Sequence, residues 1–188
     1  MANKYDYWHW QNHFSLDVKK LNKFIEKNFD KFEESEKSAV DSTHKRQKNS
    51  TVKIIYYKKL KPLLHEVVDS CVECARQKFG YDVWYPHGID GCNLNIYSSA
   101  NQGKYDWHFD AAENPHCEIK LTILINLSLQ SYEGGQLHLW HGNERCPTEL
   151  DSPGNVLMFK SAITHKVTPV TKGERRTLTI FLLGPAWR

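Results

Sequence analysis

The 188-residue sequence lacks most of the features that assign a chain quickly. No apolar run approaches the roughly 20 residues that a membrane-spanning helix needs. The opening Met1-Ala2-Asn3-Lys4-Tyr5-Asp6 has no apolar core of the kind a secretory leader carries. Charge of one sign is scarce. Against 25 basic residues stand 22 acidic ones, a net +3, so composition argues neither for nucleic acid nor for a membrane surface as partner. Five cysteines is an odd count at irregular spacing, which speaks against a secreted disulfide framework and leads us to expect a reducing, cytoplasmic setting. No internal repeat or low-complexity segment is present. The remainder is ordinary globular composition, 40% hydrophobic and 25% charged, long enough to bury a core as one domain over residues 1–188.

Residues 1 to about 14 are aromatic-rich and read as an edge strand or extended arm. Ser15 is a candidate helix cap, with Asp17 adding negative charge to the first turn. Leu16, Lys20, Leu21, Phe24, Ile25 and Phe29 then recur at helical spacing to about residue 30. From Glu33 to Ser50 the chain is polar and reads as a solvated loop, with a substrate-facing flap as the sharper alternative. Thr51 to Tyr57 is β-branched and aromatic, so a strand is expected. A second helix is expected over about Lys59–Lys78, with Pro62 in its first turn and Gly80 as its C-terminal cap. Cys71 and Cys74 fall mid-helix, where they read as buried small residues rather than a redox or zinc pair.

Beyond Gly80 short strand-like runs alternate with turn signals: Asn93–Tyr97, Tyr105–Phe109, Ile119–Ser128, Gln136–Trp140, Asn155–Phe159, His165–Pro169 and Thr177–Leu183. The fold class expected is α+β, mainly β. Residues 91–184 form a jelly-roll (double-stranded β-helix) core, backed by the helices of residues 1–90.

Within that core, His108-x-Asp110 would project an imidazole and a carboxylate from one face of a strand, two thirds of a facial metal site. The chain has ten histidines, His108 among them, and composition alone does not single out a third ligand. His165, about 55 residues on and just past the apolar strand Val156–Phe159, is the candidate. Two histidines and one carboxylate leave adjacent coordination positions open, as in non-haem Fe(II) oxygenases. Ten positions further, Arg175 opens a strand in which Arg175, Thr177, Thr179 and Phe181 share one face and Arg176, Leu178, Ile180 and Leu182 the other. An inward arginine needs an anion, either a side chain or a ligand, because a buried unpaired charge is costly.

Four motifs in this order resemble the Fe(II)/2-oxoglutarate dioxygenases of the prolyl 4-hydroxylase group. They are Tyr97…Gly103-x-Tyr105-x-x-His108-x-Asp110, Tyr132-Glu133-Gly134-Gly135-x-Leu137, Pro153-Gly154…Phe159, and His165-x-Val167-x-Pro169-Val170-x-x-Gly173-x-Arg175. The resemblance covers about residues 92–184. It implies that His108, Asp110 and His165 ligate Fe(II), and that Arg175, with Thr177 beside it, takes the distal carboxylate of 2-oxoglutarate. Asn95 and Tyr97 would line the same cosubstrate. The implied chemistry couples decarboxylation of 2-oxoglutarate to succinate and CO2 with hydroxylation by dioxygen, with ascorbate as a reductant. The implied partner is a peptide or protein substrate, with proline the leading residue.

Many members of that group carry a tyrosine on the strand that here reads Leu121–Leu127. This chain has none, and Thr122, Asn126 or Tyr105 are the candidate substitutes. Two rival functions share the fold: oxidation of a free amino acid, small metabolite or nucleobase, and a binding module without turnover. His138-x-x-His141 is not read as a second metal site, since i and i+3 on a strand face opposite ways. Tyr105, Trp107, Trp140 and Trp187 are read as packing residues.

Overall fold

The N-terminal third builds two amphipathic helices and the C-terminal part a strand-rich layer for them to cover. The computed structural model describes residues 8–12, 16–35, 48–110 and 116–186. Strand β1 (Trp8–Asn12) and helix α1 (Val18–Lys27) come first, followed by β2 (Glu33–Glu34), β3 (Lys48–Asn49) and β4 (Thr51–Tyr56). Helix α2 (Tyr57–Cys74) runs into a π-turn, Ala75–Phe79, that ends on Gly80 in the left-handed region at φ 68°. Then follow β5 (Gly91–Ser98), β6 (Lys104–His108), β7 (Cys117–Asn126), β8 (Glu133–Gly134), β9 (Leu137–Trp140) and β10 (Glu144–Arg145). The last four are β11 (Asn155–Lys160), β12 (Thr164–Val167), β13 (Val170–Lys172) and β14 (Glu174–Pro185). No helix among the described residues is long and apolar enough to cross a membrane.

A seven-stranded sheet, β1-β11-β7-β14-β5-β4-β2, faces a five-stranded one, β10-β9-β12-β6-β3, and every pairing in both is antiparallel. This is the expected jelly-roll class. The period-2 alternation of the large sheet divides its residues cleanly. Leu121, Ile123 and Ile125 of β7 and Leu178, Ile180 and Leu182 of β14 pack outward against Leu60, Leu64, Val68 and Cys71 of α2. Each such side chain, taken fully from water, contributes on the order of 1.5–3 kcal/mol. The opposite face carries Thr122, Leu124, Thr177 and Thr179 and looks into the space between the sheets. There Leu139, Leu157 and Phe159 form a second, smaller core.

Several expectations need correction. The cap of α1 is Asp17, whose carboxylate accepts from the Lys20 backbone N–H at 2.9 Å; Ser15 lies outside the described residues, as does Trp187. Helix α2 begins at Tyr57, because the Tyr57 and Lys58 amides find carbonyl partners in Asp90 and Gly88. Pro62 therefore sits in the second turn rather than the first. The 33–50 segment is a strand at each described end, not simply a solvated loop. Trp107 and Trp140 are 37% and 49% exposed; they sit in the five-stranded sheet, away from the α2-covered face of the large one, so they are not core packing. The five cysteines are all free thiols, with Cys71 and Cys74 buried.

Candidate active site

Three elements bring the metal-type side chains together. In the five-stranded sheet β6 lies beside β12, with His108 directly opposite His165. Asp110 follows β6 by two residues and is pinned by its amide, which donates to the Ser161 carbonyl at 3.0 Å. Nitrogen and oxygen atoms of His108, Asp110 and His165 fall within 4.8 Å of one another. His108 Nε2 is 3.9 Å from Asp110 Oδ1, and His165 Nε2 is 3.6 Å from Asp110 Oδ2.

Both imidazoles are held in one tautomer. His108 Nδ1 lies 2.8 Å from the Asp106 carbonyl and His165 Nδ1 3.0 Å from that of Ile163. A carbonyl can only accept, so each Nδ1 carries the hydrogen and each Nε2 turns its lone pair toward the centre. This is the outer support that metal-binding histidines require. Burial, reinforced by the neighbouring His165, holds the His108 pKa down at about 3, so its imidazole is neutral and able to coordinate across the physiological range. The Thr122 hydroxyl donates to Asp110 Oδ2 at 2.5 Å and fixes the carboxylate.

The opposite wall is β14 beside β5. Arg175 pairs across the strands with Tyr97, and Thr177 with Asn95. Arg175 is only 2% exposed, and its guanidinium lies over the Tyr97 ring at 5.5 Å. Among the described residues no carboxylate comes within salt-bridge distance of it. Burial pushes the Tyr97 phenol upward, against the pull of Arg175. Gly135 makes room for this arginine: at φ +65° a Cβ there would stand 2.9 Å from Arg175 Cδ.

All seven residues singled out from the sequence (His108, Asp110, His165, Arg175, Thr177, Asn95 and Tyr97) line one cavity of about 140 Å³. That is several times the ~30 Å³ a water molecule occupies in the liquid; it suits a small organic acid but not a peptide. The candidates for the absent tyrosine divide. Asn126 is engaged elsewhere, its amide donating to the Leu150 and Asp151 carbonyls at 2.9 and 2.8 Å. Thr122 serves Asp110. Tyr105, read from sequence as packing, stacks on the His108 ring at 3.4 Å between centroids. The residue that sequence reasoning missed is Lys48. It lines the cavity from β3, where its ammonium donates to Asn95 Oδ1 at 2.7 Å. Its only signal was its position, just before a β-branched strand.

A family model of the 2OG-Fe(II) oxygenase superfamily matches residues 92–183. The match spans the cavity walls from β5 to β14. A PKHD-type hydroxylase of Synechococcus is 35% identical over 80 residues, which is 42% of this chain and 35% of the relative. The chain thus spans about a third of the length of that relative. Among solved structures, a prolyl-4-hydroxylase of Pseudomonas putida has the same fold, with a TM-score of 0.67 at 18% identity over 94% of this chain and 91% of that one. A prolyl hydroxylase of Trichoplax adhaerens, in complex with a peptide fragment of the hypoxia inducible factor oxygen degradation domain, also scores 0.67 at 18% identity, over 94% and 83%.

The description of the family matched over residues 92–183 names Fe(II) and 2-oxoglutarate, the groups of an oxygenase. The residues present fit those groups. Two oriented imidazole nitrogens and one carboxylate suit an iron(II) ion, and a buried arginine with no carboxylate partner among the described residues suits the far end of a dicarboxylate.

Proposed function

We propose that the protein is an Fe(II)- and 2-oxoglutarate-dependent dioxygenase that hydroxylates a peptidyl residue, with proline the leading substrate. The single observation that carries the reading is one small cavity with a His108–Asp110–His165 donor set on one wall and Arg175 on the other. His108, Asp110 and His165 would hold the iron, and Arg175, Thr177, Asn95 and Tyr97 the cosubstrate. Bound together, iron and 2-oxoglutarate supply the oxidising chemistry that dioxygen alone does not. The chain's part is to fix the nitrogen lone pairs, neutralise the far carboxylate and keep water out of the cavity.

A peptide substrate is supported by the cavity's size, which leaves the substrate outside it, and by the prolyl hydroxylases that share the fold. A second recess, about 620 Å³, adjoins Asp110 and is lined by Tyr81, Phe109, Ile119 and Ile163. It offers apolar contact for a residue presented to the iron. In this reading residues 1–188 act as one unit, since α2 and β14 share a core. Its setting is cytoplasmic, in keeping with five free thiols.

The test is incubation with Fe(II), 2-oxoglutarate, ascorbate and proline-containing peptides. Succinate formation coupled to a one-oxygen mass gain on the peptide is expected, with both signals lost in His165→Ala. If succinate never forms, or if His165→Ala equals the wild type, the dioxygenase reading fails. If a small molecule stimulates succinate formation and no peptide does, the peptidyl reading fails.

A further inference from the structure

Of the three metal-type donors, Asp110 is the one that no strand carries. His108 and His165 sit in β6 and β12, and each has its Nδ1 on a carbonyl. Asp110 lies two residues past the end of β6, so strand pairing fixes neither its backbone nor its side chain. A carboxylate left to rotate about its own bonds would meet an ion in many orientations, and freezing those rotations weakens binding.

Two hydrogen bonds take the place of the missing strand, and both lead to β7. The Asp110 amide donates to the Ser161 carbonyl at 3.0 Å. Ser161 is itself fastened to β7, its amide donating to the Lys120 carbonyl at 3.1 Å and its hydroxyl to that of Ile119. From the same strand Thr122 donates its hydroxyl hydrogen to Asp110 Oδ2 at 2.5 Å, the length of a hydroxyl bonded to an ionised carboxylate. The first bond places the backbone and the second sets the carboxylate.

Thr122 is 1% exposed and stands between two phenylalanines, its cross-strand partners Phe159 of β11 and Phe181 of β14. Packing alone would be served as well by valine, which has the same shape and the same preference for strands. A hydroxyl taken out of water needs a partner, and Asp110 supplies it. The strand asks for a β-branched residue at 122; the hydroxyl answers to Asp110.

We propose that Thr122 is a positioning residue for the metal: reaching from the large sheet to the end of β6, its hydroxyl holds the Asp110 carboxylate toward the point that the two Nε2 lone pairs face. The inference rests on the His108–Asp110–His165 donor set and deepens the reading above. It also separates two roles for Thr122. A hydroxyl has one hydrogen, and one given to Asp110 is not also given to a cosubstrate in place of the tyrosine absent from Leu121–Leu127.

The test titrates the full chain anaerobically with Mn(II), following the electron paramagnetic resonance signal of the free ion, and then titrates the Mn(II)-saturated protein with 2-oxoglutarate. Wild type is compared with Thr122→Val, Thr122→Ala, Thr122→Ser and Arg175→Met. Thr122→Val keeps the shape and loses the hydroxyl; Thr122→Ser keeps the hydroxyl and loses the methyl. Loss of an outer support of a metal ligand should weaken Mn(II) binding to Thr122→Val by about 10- to 100-fold. Thr122→Ala, also without the hydroxyl, should fall in the same range, and Thr122→Ser should keep most of the wild-type affinity. Once saturated with Mn(II), Thr122→Val should bind 2-oxoglutarate nearly as the wild type does. Arg175→Met should show the opposite pattern, with Mn(II) affinity kept and 2-oxoglutarate lost.

Equal Mn(II) affinity in wild type and the two variants without the hydroxyl would overturn the proposal. So would a loss in Thr122→Ser as large as in Thr122→Val, which would mark a packing role, or a loss confined to 2-oxoglutarate, which would make Thr122 a cosubstrate contact. Failure of the dioxygenase reading looks different. A wild type that binds Mn(II), with Thr122→Val weakened, but never binds 2-oxoglutarate upholds the role of Thr122 and sinks that reading. A wild type that binds no Mn(II) sinks both.

Discussion

Arg175 and Arg176 are neighbours in sequence and opposites in environment. Arg175 points between the sheets, is 2% exposed and has no carboxylate within salt-bridge distance among the described residues. Arg176 points the other way and is paired with Glu174 at 2.5 Å and Glu26 at 3.4 Å. The same contrast runs along β14, where Thr177 and Thr179 continue the polar face while Leu178, Ile180 and Leu182 continue the apolar one. A stable fold needs the apolar face far more than it needs the polar face. The polar face carries a buried charge with no carboxylate within salt-bridge distance among the described residues, which under the proposed function is where a ligand carboxylate would sit. Stability and binding are thus written on opposite sides of one strand, and substitutions should separate them.

The largest effect should come from the apolar side. Ile180 is 2% exposed within the core beneath α2. Ile180→Ala should cost about 2–5 kcal/mol in urea unfolding, from lost burial and the cavity left behind. The surviving folded fraction should bind 2-oxoglutarate as the wild type does. A changed affinity per folded molecule would show that the two faces are not independent. The converse substitution is Arg175→Met. Truncating one partner of a buried charge pair costs roughly 2–5 kcal/mol of binding, so cosubstrate affinity should fall by about a hundredfold. Without ligand, stability should hold or rise, because a buried charge has been replaced by an apolar chain of similar reach. A large loss of ligand-free stability would mean that Arg175 is a structural residue.

This division was readable in the sequence wherever period-2 alternation was clean. Arg175, Thr177, Thr179 and Phe181 fall on the cavity side for the reason that Leu178, Ile180 and Leu182 fall on the helix side, and strand geometry allows nothing else. The same rule was used for His108 and Asp110, but Asp110 lies two residues past β6 and is set by its amide's bond to the Ser161 carbonyl. Lys48 followed from no such rule. A lysine in a polar stretch is solvated in most contexts, and only the pairing of β3 with β6, a contact across 57 residues between Lys48 and Tyr105, turns it inward. Tyr105, read both as packing and as a substitute for the absent tyrosine, stacks on His108, a contact that strand alternation does not encode. Asn126 had the right face but was taken by the carbonyls of Leu150 and Asp151, a demand set by the loop before β11.

The next effect concerns pH. In the unfolded chain His108 takes a proton near its ordinary value, whereas in the fold burial delays that step to about pH 3. Between pH 6.5 and 3 the unfolded state binds more protons at this site, so the metal-free protein should lose stability as pH falls through that range. One residue sets a slope of at most about 1.4 kcal/mol per pH unit. Chemical denaturation at pH 7, 6 and 5 should show that decline, and His108→Gln should flatten it by up to the same amount. An unchanged slope would mean that His108 is protonated in the fold, and such an imidazole could not offer its Nε2 to a metal.

The smallest effect belongs to the paired arginine. The Arg176 side chain is about 29% exposed and its partner Glu26 about 65%, so water and salt screen the pair. Exposed pairs of this kind contribute roughly 0–1 kcal/mol. Arg176→Ala should lower stability within that range, and less at high ionic strength. It should leave 2-oxoglutarate affinity untouched, since the side chain lies on the far side of β14 from the cavity. Side by side, Arg175→Met and Arg176→Ala remove equal charge from adjacent positions. If both altered cosubstrate binding to the same degree, the effect would be that of net charge at long range, and the claim that Arg175 makes a directed contact would fall.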